Sequence, residues 1–157
     1  SQPTTVAFML ELLDVRPGEK VLDVGSGSGW TTALLAQLVG EKGKVIGLEI
    51  IPELVSLGRK NLAKSYSHIL KNMRIGLTDA EIRQTEKGIT GLPEEAPFDR
   101  ILVSATAKKI PKELLHQLKP GGILVMPVGT SVIQVKKISE DNLQTQEFPG
   151  FSFVELK

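Results

Sequence analysis

The stretch Val21-Leu22-Asp23-Val24-Gly25-Ser26-Gly27-Ser28-Gly29-Trp30 constrains the fold more than any other part of the chain. An apolar run that reaches an acidic residue and then Gly-x-Gly-x-Gly reads as a buried strand, a sharp turn and a helix, here Thr31 to Val39. Alternate glycines let the backbone turn tightly and approach a ligand closely, and the helix start behind them offers free N–H groups. A second apolar run, Val45-Ile46-Gly47-Leu48-Glu49, also ends in an acid. A glycine-rich first turn followed by an acid closing the second strand is the layout of a nucleoside-binding α/β domain.

The details of the turn select among nucleoside cofactors. A dinucleotide site needs a small residue where this chain has Trp30, and a phosphate-binding Walker loop needs a Gly-Lys-Ser/Thr that is absent. The pattern resembles the first motif of class I S-adenosylmethionine-dependent methyltransferases. That resemblance implies S-adenosyl-L-methionine as cofactor, held by Asp23, Gly25, Ser26, Gly27, Ser28 and Gly29. Glu49 would accept hydrogen bonds from the ribose hydroxyls, with Ile50 beside it.

Strand-like and helix-like segments alternate along the chain. Thr4 or Thr5 is placed to cap a first helix through Leu13. Strands are expected at Lys44–Glu49, Met73–Leu77, Asp99–Ser104, Ile123–Pro127, Val132–Ile138 and Phe151–Leu156. Helices are expected from Pro52 to about Lys64 and from Pro111 to Leu118, while Glu81 to Gly91 fits either helix or loop. The sum is an α/β fold, a doubly wound, mostly parallel Rossmann-like sheet with an antiparallel edge, in a single domain over residues 1–157.

Composition narrows the function. A net charge of +1 gives no electrostatic case for nucleic acid or membrane, and no apolar run reaches the ~20 residues of a membrane span. With no cysteine and only His68 and His116, thiolate chemistry and a histidine-rich metal site are excluded, and both histidines read as surface residues. The absence of cysteine and of a signal-like leader leads us to expect a cytoplasmic protein.

Several separated segments carry a closer resemblance. Val6-Ala7-Phe8-Met9-Leu10-Glu11-Leu12-Leu13, Asp23-Val24-Gly25-Ser26-Gly27-Ser28-Gly29, Pro93-Glu94-Glu95-Ala96-Pro97-Phe98-Asp99-Arg100-Ile101, Leu118-Lys119-Pro120-Gly121-Gly122 and Met126-Pro127-Val128-Gly129 are similar to protein-L-isoaspartate O-methyltransferases. The resemblance implies methylation of a carboxylate in damaged, isoaspartyl-containing protein. It implies a catalytic place for Ser1, beside the methyl group. It also implies a cofactor contact after the third strand, where the family has Gly-Asp-Gly. Aligning Asn72-Met73-Arg74-Ile75 with that strand puts Asp79 and Ala80 there, with an insertion from about Glu81 to Gly88. Family members carry further residues before the position of Ser1, so a second copy of the chain or a partner subunit could supply the missing wall.

A carboxylate acceptor is already ionised at neutral pH, since such groups titrate near ~4, and needs no general base. The competing readings are a methyltransferase with another acceptor, either tRNA, since Gly43-Lys44-Val45 after the glycine-rich motif is similar to tRNA adenine methyltransferases, or a small molecule, and a cofactor-binding module dependent on a partner. Asp79 also fits a simple turn, Trp30 is expected to cover the helix start as core, and Arg83 and Glu86 have the spacing of a helical ion pair. Thr106 lies where open α/β sheets bind substrates.

Overall fold

A computed structural model describes residues 2–72, 78–88, 90–154 and 156. The elements in chain order are α1 (Pro3–Leu13), β1 (Lys20–Val24), α2 (Trp30–Val39), β2 (Lys44–Glu49), α3 (Pro52–Asn72), β3 (Asp79–Gln84), a 3-10 turn (Pro93–Glu95), β4 (Phe98–Val103), α4 (Lys112–His116), β5 (Leu118–Val128), β6 (Ser131–Ser139) and β7 (Asn142–Pro149). One seven-stranded sheet of order β3-β2-β1-β4-β5-β6-β7 carries them. The first five are parallel, and β6 and β7 add an antiparallel edge.

The alternation of side chains along each strand divides the core. Val21 and Val45 face α1 and α2 together with Leu13, Leu35 and Val39. Leu22, Val24, Ile46 and Leu48 face the other way, against Leu92, Phe98, Leu114 and Leu118. Strands buried on both faces read as nearly continuous apolar runs, which is why β1, β2 and β4 were visible in the sequence.

β3 was not visible, for the opposite reason. The expected strand Met73–Leu77 lies outside the described residues, and the strand paired with β2 is Asp-Ala-Glu-Ile-Arg-Gln, in which only Ile82 is buried. Its outer face is covered by charge. Arg83 binds Glu81 at 2.5 Å and Glu95 at 2.8 Å, and Glu95 also meets Lys20 and Lys44. Arg83, helped by Lys20, holds the Glu95 carboxyl well below its ordinary range, at about 2. The helical spacing of Arg83 and Glu86 has no bearing here, because Arg83 is in a strand.

Other expectations shift at their ends. Neither Thr4 nor Thr5 caps α1; Gln2 occupies the cap position and Pro3 opens the helix, where a missing N–H costs nothing. α3 continues through Asn72, beyond the expected stop near Lys64. Leu118-Lys119-Pro120-Gly121-Gly122 enters β5 through an irregular register rather than forming a separate turn. The segment 151–154, the continuous described part of the last expected strand, is not a strand. Its aromatic residues stack in a row, Phe8 with Phe151 at 5.6 Å and Phe151 with Phe153 at 6.0 Å, which packs the segment onto α1. The edge strand is instead the polar Asn142–Pro149.

Glycines set how closely α3 approaches the start of α2. A Cβ at Gly58 would stand 2.7 Å from Ile82 Cδ1 and 3.1 Å from Gly27 O, and one at Gly29 would stand 2.8 Å from Gly58 O. Gly58→Ala is expected to destabilise the fold by about 1–3 kcal/mol through overpacking, despite the helix propensity of alanine, as read by denaturant unfolding.

Candidate functional site

The strand order reverses direction at β1, which has β2 on one side and β4 on the other, and such switch points open a crevice at the carboxyl ends of strands. Here a cleft of about 570 Å³ opens between Gly25 and Gly27 on β1's turn, Glu49 and Ile50 after β2, Thr85 after β3 and Ser104 after β4. The N–H groups of Gly25 and Ser26 both donate to Leu48 O at 2.9 Å, which ties the turn to β2. Ser104 N–H donates to Val24 O at 2.9 Å and holds β4's end against it.

Glu49 is buried and fixed by backbone. Its Oε2 accepts the Gly27 N–H at 2.9 Å, and its Oε1 accepts the N–H groups of Ile50 at 2.8 Å and Ile51 at 3.0 Å. A carboxylate offers about four acceptor positions, so about one is left for a ligand hydroxyl. The far wall begins where Thr85 N–H donates to Glu49 O at 2.9 Å, and Gly88 and Thr90 continue it. Val154 and Leu156 close the side beyond Ser104, bonded to Thr106 through its N–H and C=O at 2.7 Å each.

Asp23 lies beneath the turn, fully buried. Its Oδ2 accepts the hydroxyls of Thr31 and Thr32, both at 2.7 Å, while Oδ1 and the buried Ser26 Oγ have no partner among the described residues. Burial pushes the Asp23 carboxyl up to about 6, against the lowering effect of the two threonines, and the charge of Glu49 adds to the rise.

The structure brings Gly25, Gly27, Glu49 and Ile50 together on the cleft, with Asp23 and Ser26 just below. It gives the remaining candidates other places. Gly29 is a packing residue against Gly58, and Ser28 is exposed, with its carbonyl accepting Asn61 Nδ2 at 2.9 Å. Asp79 and Ala80 require correction. They open β3 in register with Lys44 and Val45, at the amino ends of the strands, and Asp79 faces Lys44 at 3.9 Å. The residues that follow the third strand are Thr85-Glu86-Lys87-Gly88, so the stretch read as an insertion is β3 and its loop. Trp30 is 42% exposed and is not core. His116 is exposed, Ser1 lies outside the described residues, and so does the His68 side chain. Sequence reasoning missed Thr85 and Thr90; the strand end after Ile82 was the signal for the first, while the loop after β4, singled out around Thr106, does reach the cleft through Ser104 and Ala105.

Comparison with known proteins decides the family. The sequence model for protein-L-isoaspartate(D-aspartate) O-methyltransferase matches residues 1–157. The chain belongs to the protein-L-isoaspartate O-methyltransferase family. The enzyme of that name from Methanopyrus kandleri is 45% identical, over 99% of this chain and 66% of its own length. The one from Pyrococcus horikoshii is 41% identical, over 99% of this chain and 67% of its own. This chain therefore spans about two thirds of these relatives. Among solved structures, a Plasmodium falciparum protein described as a protein-L-isoaspartate O-methyltransferase in complex with S-adenosyl-L-homocysteine superposes with a TM-score of 0.82 at 28% identity, over 100% of this chain and 75% of the other. An RNA methyltransferase from Salinibacter ruber, at 22% identity and a TM-score of 0.57, shares the fold.

The buried carboxyl of this family member gives a pH signature. The folded state keeps the Asp23 proton above its ordinary value of 3.8, so this group's contribution to stability is full below that pH and falls as pH rises through about 6. In Asp23→Asn that slope disappears. The stability of the variant relative to the parent is expected to grow by on the order of 1–3 kcal/mol between about pH 4 and pH 7, measured by urea unfolding across pH.

Proposed function

We propose that the chain is an S-adenosylmethionine-dependent methyltransferase of the protein-repair type, a single cytoplasmic domain that esterifies the carboxylate of isoaspartyl residues. The observation that carries this reading is Glu49, held rigid by three backbone N–H groups on the rim of the cleft opposite the glycine turn. An anchored carboxylate at the end of β2 is suited to a ribose, and it leaves the wall of Thr85, Gly88 and Thr90 for the nucleobase and the β1–β4 junction for the sulfonium end.

The residues present fit such a cofactor. The cleft has the size of a small-molecule site and pairs apolar walls such as Ile50, Ile51 and Leu54 with a few polar groups. A Cβ at Gly27 would meet nothing within 4 Å, so that face of the turn is free for close approach. The unpartnered Asp23 Oδ1 and Ser26 Oγ supply acceptor capacity under the turn, and two acidic residues suit a cation. Bound S-adenosylmethionine supplies an electrophilic methyl group on sulfur.

What the chain itself does is align and shield. The acceptor carboxylate brings its own negative charge, so the work is to hold it in line with the methyl carbon. Ser104 lies where that acceptor would enter, and Val154 and Leu156, held by the Thr106 main chain, line the same side.

Labelled methyl from S-adenosylmethionine should pass to an isoaspartyl peptide and not to the matched aspartyl peptide. Transfer to neither, by protein that binds S-adenosylhomocysteine in a calorimeter, would mean another acceptor. Glu49→Ala is expected to weaken S-adenosylhomocysteine binding by more than about tenfold, because the ribose acceptor and the anchor of Gly27 are lost together.

A further inference from the structure

We infer that Gln117, outside the cleft, is the positioning residue that holds the nucleobase wall in place. The inference rests on the cofactor reading of the cleft. Gln117 follows α4 and precedes β5, and it is 5% exposed. Its main chain is spoken for, since its carbonyl accepts the Phe98 N–H at 2.8 Å. Its side chain reaches back across 25 residues, where Oε1 accepts the Leu92 N–H at 2.7 Å. Nε2 donates to the Thr90 carbonyl at 3.0 Å.

One primary amide thus satisfies a donor and an acceptor two residues apart, as a neighbouring strand would. The residue between them is Gly91, with φ +84°, and a Cβ there would stand 2.3 Å from Gln117 Oε1. The amide and the glycine are therefore fitted to each other. Gly88 and Thr90 line the cleft directly, while Leu92 is buried in the core. Among the described residues of the loop from 86 to 92, these two bonds are the hydrogen bonds that tie it to another part of the fold. The other end of the wall is fixed by Thr85 on the Glu49 carbonyl. Lys137, 2% exposed, steadies the corner that carries Gln117 by donating to Leu115 O at 3.0 Å and Leu118 O at 2.9 Å.

Gln117 touches neither cofactor nor acceptor, so its loss should act on binding more than on turnover. In the near-isosteric Gln117→Met, the Kd for S-adenosylhomocysteine by calorimetry is expected to rise about tenfold, with kcat at saturating cofactor within about twofold. The Leu92 amide of the unliganded variant should exchange with deuterium at least ~10-fold faster. Gln117→Glu gives a second readout that general loosening would not. Its neutral acid can again donate to Thr90 O, whereas its carboxylate cannot, so the ratio of its Kd to that of the parent should fall as pH drops from about 7 to about 5. Gln117→Met binding within about twofold of the parent, with the Leu92 amide unchanged, would overturn the inference, as would a Gln117→Glu ratio that is flat with pH. Failure of the parent itself to bind S-adenosylhomocysteine would overturn the cofactor reading and this inference with it.

Discussion

The architecture turns on the way Asp23 grips the start of α2. Two threonine hydroxyls at successive positions, Thr31 and Thr32, reach the same carboxylate oxygen at 2.7 Å. That grip fixes the angle at which the helix leaves the strand, and so fixes the loop between them. With the loop fixed, the N–H of Gly27 points at Glu49, and the N–H groups of Gly25 and Ser26 meet Leu48 O. The cleft is thus a consequence of one buried carboxylate. Charge-assisted bonds in a low dielectric are stiff, which is what a site that works by alignment needs.

The glycines around this grip do two different jobs, and the structure separates them. Gly25 and Gly27 leave space on the cleft side, where a Cβ would come no closer to protein than 4.0 Å at Gly25 and would meet nothing at Gly27. Gly29, Gly47 and Gly58 remove volume on the packing side. A Cβ at Gly47 would lie 2.7 Å from Thr32 Oγ1, in the middle of the Asp23 grip. The sequence motif contains both kinds in one run, which explains why Gly25 and Gly29 look equivalent in a string of letters and differ in three dimensions.

Legibility followed burial. β1, β2 and β4 are apolar on both faces, and the strand expected at Lys44–Glu49 has those bounds in the structure. The residues that make up the cleft from these strands, Gly25, Gly27, Glu49 and Ile50, were legible for the same reason. β3 and β7 were not. Each has a neighbour on one side only, and β3 replaces an apolar outer face with the Glu81, Arg83 and Glu95 charges. A strand whose outer face carries charges paired within the strand and to the turn that follows shows no hydrophobic period. That single gap moved the expected end of the third strand, and with it the assignment of Asp79 and Ala80. The Gln117 tie was illegible in principle, since nothing local in the sequence pairs residues 25 apart.

The site also runs against the stability of the fold. Asp23 Oδ1 and Ser26 Oγ are buried without partners, and each such atom carries a desolvation cost of roughly 1–3 kcal/mol. Glu49 stands close enough to raise Asp23 further. A cation bound in the cleft would lower the cost of both charges. The apolar layers on either side of the sheet can sustain this local cost because they are continuous across β1, β4 and β5, with Leu22, Ile101 and Leu124 fully buried on one face and Val21, Leu102 and Val125 on the other. The packing calls for an acid at one oxygen of Asp23, where two threonine hydroxyls converge, and leaves the other oxygen unmet in the middle of a well-packed sheet.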